Sequence, residues 1–246
     1  MKIIAITNQK GGVAKSTSTL NIGAGLVKKG KKVLVVDLDP QAALTDFLGI
    51  PVENTIDIFN VLSGNSKIND VIVEKEGMFV LPSSIDWAEE SLGNDPYLLT
   101  KAFKDISDFD FVLLDCPPHL GLLNLNALLL SDSIIIPIKS QLAPLKSLNK
   151  LFKAIAGIKE TFNKEIKNLG FLLTEFDSRN NLSKEIKETI EEYFPNKMFK
   201  TVIRVNVAVA ESISYNKSVI VYSPKSHGAK DYLDLTKEII NRSKNV

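Results

Sequence analysis

In this chain of 246 residues, 30 Lys and Arg stand against 29 Asp and Glu, so bulk charge gives no reason to bind nucleic acid and any basic face must be local. Cys116 is the single cysteine, which excludes an internal disulfide and any paired-cysteine metal or cluster site. No apolar stretch reaches the ~18 residues of a membrane span, and Met1 leads straight into a strand-like run with no signal peptide; a cytoplasmic protein is expected.

The first run, "KIIAIT" (2–7), reads as a strand and leads into a helix from about Lys15 to Lys29, with Leu20, Ala24 and Val27 on one side at helical spacing. "KVLVVDLD" (32–39), "MFVLPSS" (78–84), "FVLLDC" (111–116), "SIIIPI" (133–138) and "LGFLLTEFD" (169–177) read as further strands, with helical patterns around 120–130, 145–161 and 183–194. Near-continuous apolar runs suit strands buried on both faces of a parallel sheet. The alternation predicts an α/β fold: one doubly wound, mostly parallel sheet with helices on both faces and right-handed crossovers. No repeat or linker divides the chain, so residues 1–246 are expected to form one domain.

Ligands of such sheets bind beyond the carboxyl ends of the strands. That singles out the polar residues closing the runs: Asn8 to Ser16, Asp37 and Asp39, Asp115, and Thr174 to Asp177. "NQKGGVAKSTST" (8–19) departs from the usual phosphate-loop pattern G-x-x-x-x-G-K-[ST], because Gln9 and Ala14 fill its two glycine positions. Gly11 and Gly12 stand between them, directly after a second lysine, Lys10. The stretch still offers what a phosphate needs: glycines able to form a tight anion nest, Lys15 at the start of a helix to reach β- and γ-phosphates, and the Ser16 hydroxyl as a Mg2+ ligand. Asp115 ends an apolar strand, where an acid can hold Mg2+ directly or through water. Asp37 and Asp39, two residues apart, lie on the same side of a strand end and repel unless cations or donors come between them. The plainer reading is a glycine-containing turn with surface lysines and solvated acids.

"KGGVAKST" resembles the deviant phosphate loop of the ParA/Soj ATPases and their MinD relatives, marked by a lysine directly before the two glycines. Three further stretches are similar to ParA/Soj proteins in particular: "VLVVDLDPQAALT" (33–45), "FDFVLLDCPPHLGLLNLNALLLSDSIIIPI" (109–138) and "KTVIRVNVAVAESISYNKSVIVYSPKSHGAKDYLDLTKEI" (200–239). The resemblance covers nearly the whole chain. It implies ATP hydrolysis with Mg2+, an ATP-sandwich homodimer, non-specific DNA as the track, and stimulation by a ParB-like centromere-binding partner near the nucleoid. Lys10 would reach the partner's ATP and Lys15 the phosphates, with Gly11, Gly12, Val13, Ala14 and Thr17 completing the loop around the nucleotide. Ser16 and Asp115 would hold magnesium, Asp37 would stand behind those ligands, and Asp39 would orient the attacking water. "DPQAA" (39–43) and "DCPP" (115–118) resemble the segments that sense the γ-phosphate, and adenine would lie near Thr174 and Val205–Asn206.

For DNA, the resemblance points to Arg179, and Lys200 and Arg204, on the same half of the chain, could add to it by their charge. Ala208 stands where relatives carry a second arginine, and Lys184, Lys197 and Lys217 could compensate. "KSQLAPLKSLNKL" (139–151) also departs from the pattern: Lys139, Lys146, Lys150 and Lys153 replace an acidic-aromatic stretch. The alternative is a MinD-like regulator on a membrane, which would need an amphipathic, basic carboxyl-terminal helix. Here Tyr232, Leu235 and Ile239 are expected to pack on the sheet, and "NRSKNV" adds little apolar surface. His119 is expected to be a loop residue, His227 a helix start, Cys116 a buried filler and Trp87 a loop anchor. The start at the first strand resembles the short, Soj-like type with no preceding operator-binding domain.

Overall fold

A computed structural model describes residues 1–87, 89–140, 145–162 and 164–244, without the side chains of residues 90 and 145–149. Strand β1 (Lys2–Ile6) leads through the loop into helix α1 (Lys15–Lys28), then β2 (Val33–Asp37) and the short helices α2 (Ala43–Phe47), α3 (Ile58–Leu62) and α4 (Ile68–Val71). A hairpin of β3 (Val73–Lys75) and β4 (Met78–Leu81) follows, then a 3-10 turn (Glu89–Leu92), α5 (Leu98–Ala102), β5 (Phe111–Asp115) and α6 (Leu122–Leu130). The chain continues through β6 (Ser133–Lys139), α7 (Leu145–Phe162), β7 (Lys167–Thr174) and α8 (Asn181–Tyr193), and closes with α9 (Val207–Ser214), α10 (Val219–Tyr222) and α11 (His227–Ser243).

The seven strands form one sheet in the order β3-β4-β2-β5-β1-β6-β7. All neighbours are parallel except the β3–β4 hairpin, so the expected doubly wound, mostly parallel sheet is what forms. β3 was not among the expected strands. Its residues are exposed or half-buried, so they carry no apolar run, and a two-residue turn through Glu76 and Gly77, both at positive φ, folds it back on β4.

Alternate residues of the central strands feed two apolar layers. Ile3, Ala5, Leu34, Val36, Val112 and Leu114 face the layer closed by α3 to α8. Ile4, Ile6, Val33, Val35, Phe111 and Leu113 face the layer closed by α1, α2, α10 and α11. Tyr232, Leu235 and Ile239 are buried on the sheet as expected. Two glycines let α1 sit deep in its layer: a Cβ on Gly23 would lie 2.6 Å from Met78 Sδ, and one on Gly25 would lie 2.2 Å from Thr236 Oγ1. The N-terminus of α1 is thereby fixed at the carboxyl edge of the sheet, beside the ends of β5 and β6.

Candidate nucleotide site

The loop from β1 to α1 turns by reversing hand at alternate residues: Gly12 has φ 69° and Ala14, the N-cap of α1, has φ 66°. Such reversals let successive N–H groups converge on an anion. The second reversal falls on an alanine, at the position where the common pattern has glycine, at a cost of about 1–2 kcal/mol. Gly11 is not at positive φ, and a Cβ on either glycine would meet no atom within 4 Å, so backbone angle explains Gly12 alone. The loop's root is fixed by Asn8, which donates to the Pro137 carbonyl at 2.7 Å and accepts from the Lys10 N–H at 3.1 Å. Lys15 is buried and Ser16 half-buried. Lys10 is half-buried, and its ammonium has no hydrogen-bond or ion-pair partner among the described residues.

Beside this loop, Asp37 and Asp115 end neighbouring parallel strands in direct register, both fully buried. Burial lifts Asp37 to about 6 against three hydrogen bonds: from Thr45 N (2.9 Å), Thr45 Oγ1 (2.8 Å) and Asp39 N (3.1 Å). Burial, and then the charge of Asp37, lift Asp115 to about 8, while the Ser16 hydroxyl and the Lys15 ammonium pull it down. Asp115 Oδ1 accepts from Thr19 Oγ1 at 3.2 Å, whereas Oδ2 is buried with no hydrogen-bond partner within 3.5 Å among the described residues.

A buried, orphaned carboxylate oxygen beside a second carboxylate is a site that a cation would satisfy. Among the described residues no cluster of three or more His, Cys, Asp or Glu could hold a metal alone. A cation here must therefore share its ligands with a hydroxyl and an anion, which is how Mg2+ is held with phosphates. These residues fit that ion.

The acids also predict a pH response. Both folded values lie above the ordinary carboxylate range, so the folded chain binds protons more tightly than the unfolded chain does. The contribution of these two acids to metal-free stability is then fully present at low pH and is lost as pH rises through about 6 to about 8. Thermal melting in chelator at pH 5, 7 and 9 should show that fall, and Asp115→Asn should flatten it; a native profile without the decline would contradict the picture.

Asp39 is half-buried and held by its backbone: its N–H donates to Asp37 and its carbonyl accepts from Ser83 Oγ at 2.9 Å. Its Oδ1 accepts from Gln41 N, leaving Oδ2 without a partner among the described residues. Thr45 closes the circuit by accepting from Ser83 N at 2.9 Å. Asn124 does the same for the segment after β5, accepting from Thr7 Oγ1 and donating to the Pro117 and His119 carbonyls. Thr19, Thr45, Ser83 and Asn124 were given no role from the sequence. Thr19, one helical turn after Lys15, was the most accessible of them.

A cavity of about 440 Å³ opens beside the loop, walled by Ala14 and Thr17 at one side and by Val205 and Asn206 at another. Thr174 lines it too, its single hydroxyl proton shared between the Val13 and Ile138 carbonyls at 3.2 Å each. The structure thus brings together Thr174, Asn206 and the loop, and Asn206 Oδ1 is a buried acceptor without a partner among the described residues.

The three residues assigned to DNA are differently placed. Arg179 is 89% exposed but forms a two-pronged pair with Asp177, at 3.0 and 2.9 Å, which holds that carboxyl down at about 2. Arg204 pairs likewise with Asp231, at 2.9 and 2.6 Å, and lines the cavity. Lys200 is exposed, four residues from Arg204 and so within ~14 Å along the chain. Lys139 is tied to Glu175 at 2.7 Å, and Lys150 and Lys153 are exposed. Residues 141–144 and the side chain of Lys146 lie outside the described residues. His119 pairs with Glu89 at 2.6 Å, Trp87 stacks on Phe59, and the buried Cys116 thiol is pushed up by burial and Asp115. His227 opens α11, behind the Ser226 cap.

A parallel, doubly wound sheet with an anion loop at the head of α1 and two carboxylates on adjoining strand ends defines a P-loop nucleotide hydrolase of the MinD/ParA type. A family model described as "AAA domain" matches residues 1–169. The chain is 39% identical to the sporulation initiation inhibitor protein Soj of Bacillus subtilis, over 97% of this chain and 98% of that one. It is 36% identical to the chromosome partitioning protein ParA of Myxococcus xanthus, over 98% and 88%. It also matches a crystal structure of cobyrinic acid a,c-diamide synthase from Mycobacterium smegmatis with bound ADP and magnesium: TM-score 0.86, 31% identity, 99% of this chain and 95% of that one. The chain belongs to the Soj/ParA family of ATPases.

Proposed function

We propose that this ATPase, with ATP and Mg2+ as its cofactors, works as a DNA-partition switch. It pairs as an ATP-bound homodimer, binds DNA without sequence preference and releases it after hydrolysis stimulated by a centromere-binding partner. The observation that carries this reading is the division of labour between two lysines on one loop. Lys15 is buried beside the acids of its own site, whereas Lys10 has no partner among the described residues. Two polyanionic ligands brought face to face require extra cations, and Lys10 is suited to serve the other subunit's nucleotide.

In the same reading, the loop N–H groups and Lys15 hold the phosphates, and Ser16 and Asp115 hold the metal, with Asp37 behind them. Mg2+ supplies positive charge against the phosphate oxygens. Asp39 Oδ2 orients the attacking water, and Thr174 and Asn206 enclose the base. Hydrolysis of this kind depends on positioning and electrostatics. Lys10→Ala should therefore bind ATP as a monomer but lose ATP-dependent dimerisation in light scattering; dimerisation at native strength would refute the cross-subunit role.

For DNA, Arg179 and Lys200 are exposed cations, and the tie of Arg179 to Asp177 is surface-exposed and so weak enough to be exchanged for a phosphate. No described helix is long and apolar enough to cross a membrane, and α11 buries Tyr232, Leu235 and Ile239 on the sheet instead of presenting them to lipid. The experiment is a gel-shift titration of a random duplex with ATP, ADP and a slowly hydrolysed analogue at two salt concentrations. Binding should require ATP, fall steeply with salt and ignore sequence. Arg179→Glu should weaken it for every duplex alike, and Asp177→Asn should strengthen it by freeing the guanidinium. Absence of ATP-dependent binding at low salt would overturn the DNA reading.

A further inference from the structure

Glu175 follows Thr174 at the end of β7 and lines the nucleotide cavity between the loop residues, Ala14 and Thr17, and the Val205–Asn206 wall. Its backbone is left-handed, at φ 49°, a conformation a glutamate adopts only when its surroundings impose it. Those surroundings are visible. Thr174 touches the Val13 carbonyl on one side, the Thr174 carbonyl accepts from Ser140 N at 3.1 Å, and the Glu175 carbonyl accepts from Ser140 Oγ at 2.7 Å. The side chain is oriented as well: Lys139 Nζ holds Oε2 at 2.7 Å, while Oε1 has no partner among the described residues. Lys139 is three-quarters buried along its side chain, so this pair is more constrained than a typical surface pair.

A nucleotide whose phosphates lie at the head of α1 and whose base lies at Asn206 must place its sugar between them, beside Glu175. Vicinal sugar hydroxyls are donors, and a carboxylate is an acceptor alone. We propose that Glu175 is a specificity-determining residue that accepts a hydrogen bond from the ribose of the nucleotide, so that the chain distinguishes ribonucleotides from deoxyribonucleotides, with Lys139 positioning its carboxylate. This rests on the placement of ATP in the site described above. A DNA-bound switch gains from such a test because deoxynucleotides share its adenine and its phosphates, leaving the sugar as the one point of difference.

The test is calorimetric titration of the native chain, Glu175→Ala and Lys139→Ala with ATP, 2′-deoxyATP and 3′-deoxyATP. A hydrogen bond to a charged group corresponds to about tenfold or more in affinity. The native chain should bind ATP about tenfold tighter than 2′-deoxyATP, with 3′-deoxyATP as the control that retains the 2′-hydroxyl. Glu175→Ala should reduce ATP affinity to the level of 2′-deoxyATP and leave the affinity for 2′-deoxyATP itself unchanged. Lys139→Ala, which leaves the carboxylate in place but unguided, should reduce the ratio in part. Equal native affinities for ATP and 2′-deoxyATP, or an unchanged ratio between them in Glu175→Ala, would overturn the proposal while leaving the ATP site intact. Failure of the native chain to bind any of them would instead overturn the nucleotide placement itself.

Discussion

Lys15→Ala is expected to abolish ATP binding at the concentrations where the native chain saturates. Lys15 is 7% exposed, at the first position of α1, and its charge acts on the buried Asp115. In the proposed site, removing it would leave the phosphates facing two buried acids with only the loop's N–H groups and the metal as compensation. Truncating one partner of a buried charge pair costs about 3–5 kcal/mol, or roughly 100- to 3,000-fold in affinity. Titration calorimetry checks this directly, with circular dichroism to verify that α1 is retained. Near-native affinity would remove the loop from the site.

Asp39→Ala is expected to separate binding from hydrolysis. The contacts that fix the segment use the backbone of Asp39, its N–H to Asp37 and its carbonyl to Ser83, and both survive the substitution. What disappears is the carboxylate, with its bond to Gln41 and its free Oδ2. A positioned proton acceptor contributes about 100- to 10,000-fold to rate. The variant should therefore bind ATP at native strength, accumulate as the ATP-bound dimer, and lose at least ~100-fold of its stimulated turnover. Phosphate release assays beside light scattering decide it: stimulated turnover at the native rate would clear Asp39 of any role with water.

Much of this architecture was legible because the physics that makes it is local. The central strands are buried on both faces, so each is a short apolar run, and the acids that end β2 and β5 stand out as charges closing such runs. The loop was legible for the same reason, a glycine pair and two lysines between a strand and a helix. The exposed strand β3 lacked any such signal. Thr45, Ser83 and Asn124 are ordinary polar residues whose partners are set by tertiary structure, and Ser83 bonds a residue 44 positions away. Arg204 and Asp231 meet across 27 positions, so their neutralising pair was invisible in the sequence. The Asp177–Arg179 pair, two residues apart in "FDSR", was in plain view and could have been found.

Ala14 gives the loop a conformational debt that a glycine there would not carry. Glycine at such a corner visits left- and right-handed basins alike. An alanine has fewer basins open to it, and the one at φ 66° is among those it disfavours, so the bend persists only because the structure around it holds it there. An anion that draws the loop's N–H groups together acts on a corner already bent against its own preference, and so couples binding to the upkeep of that bend.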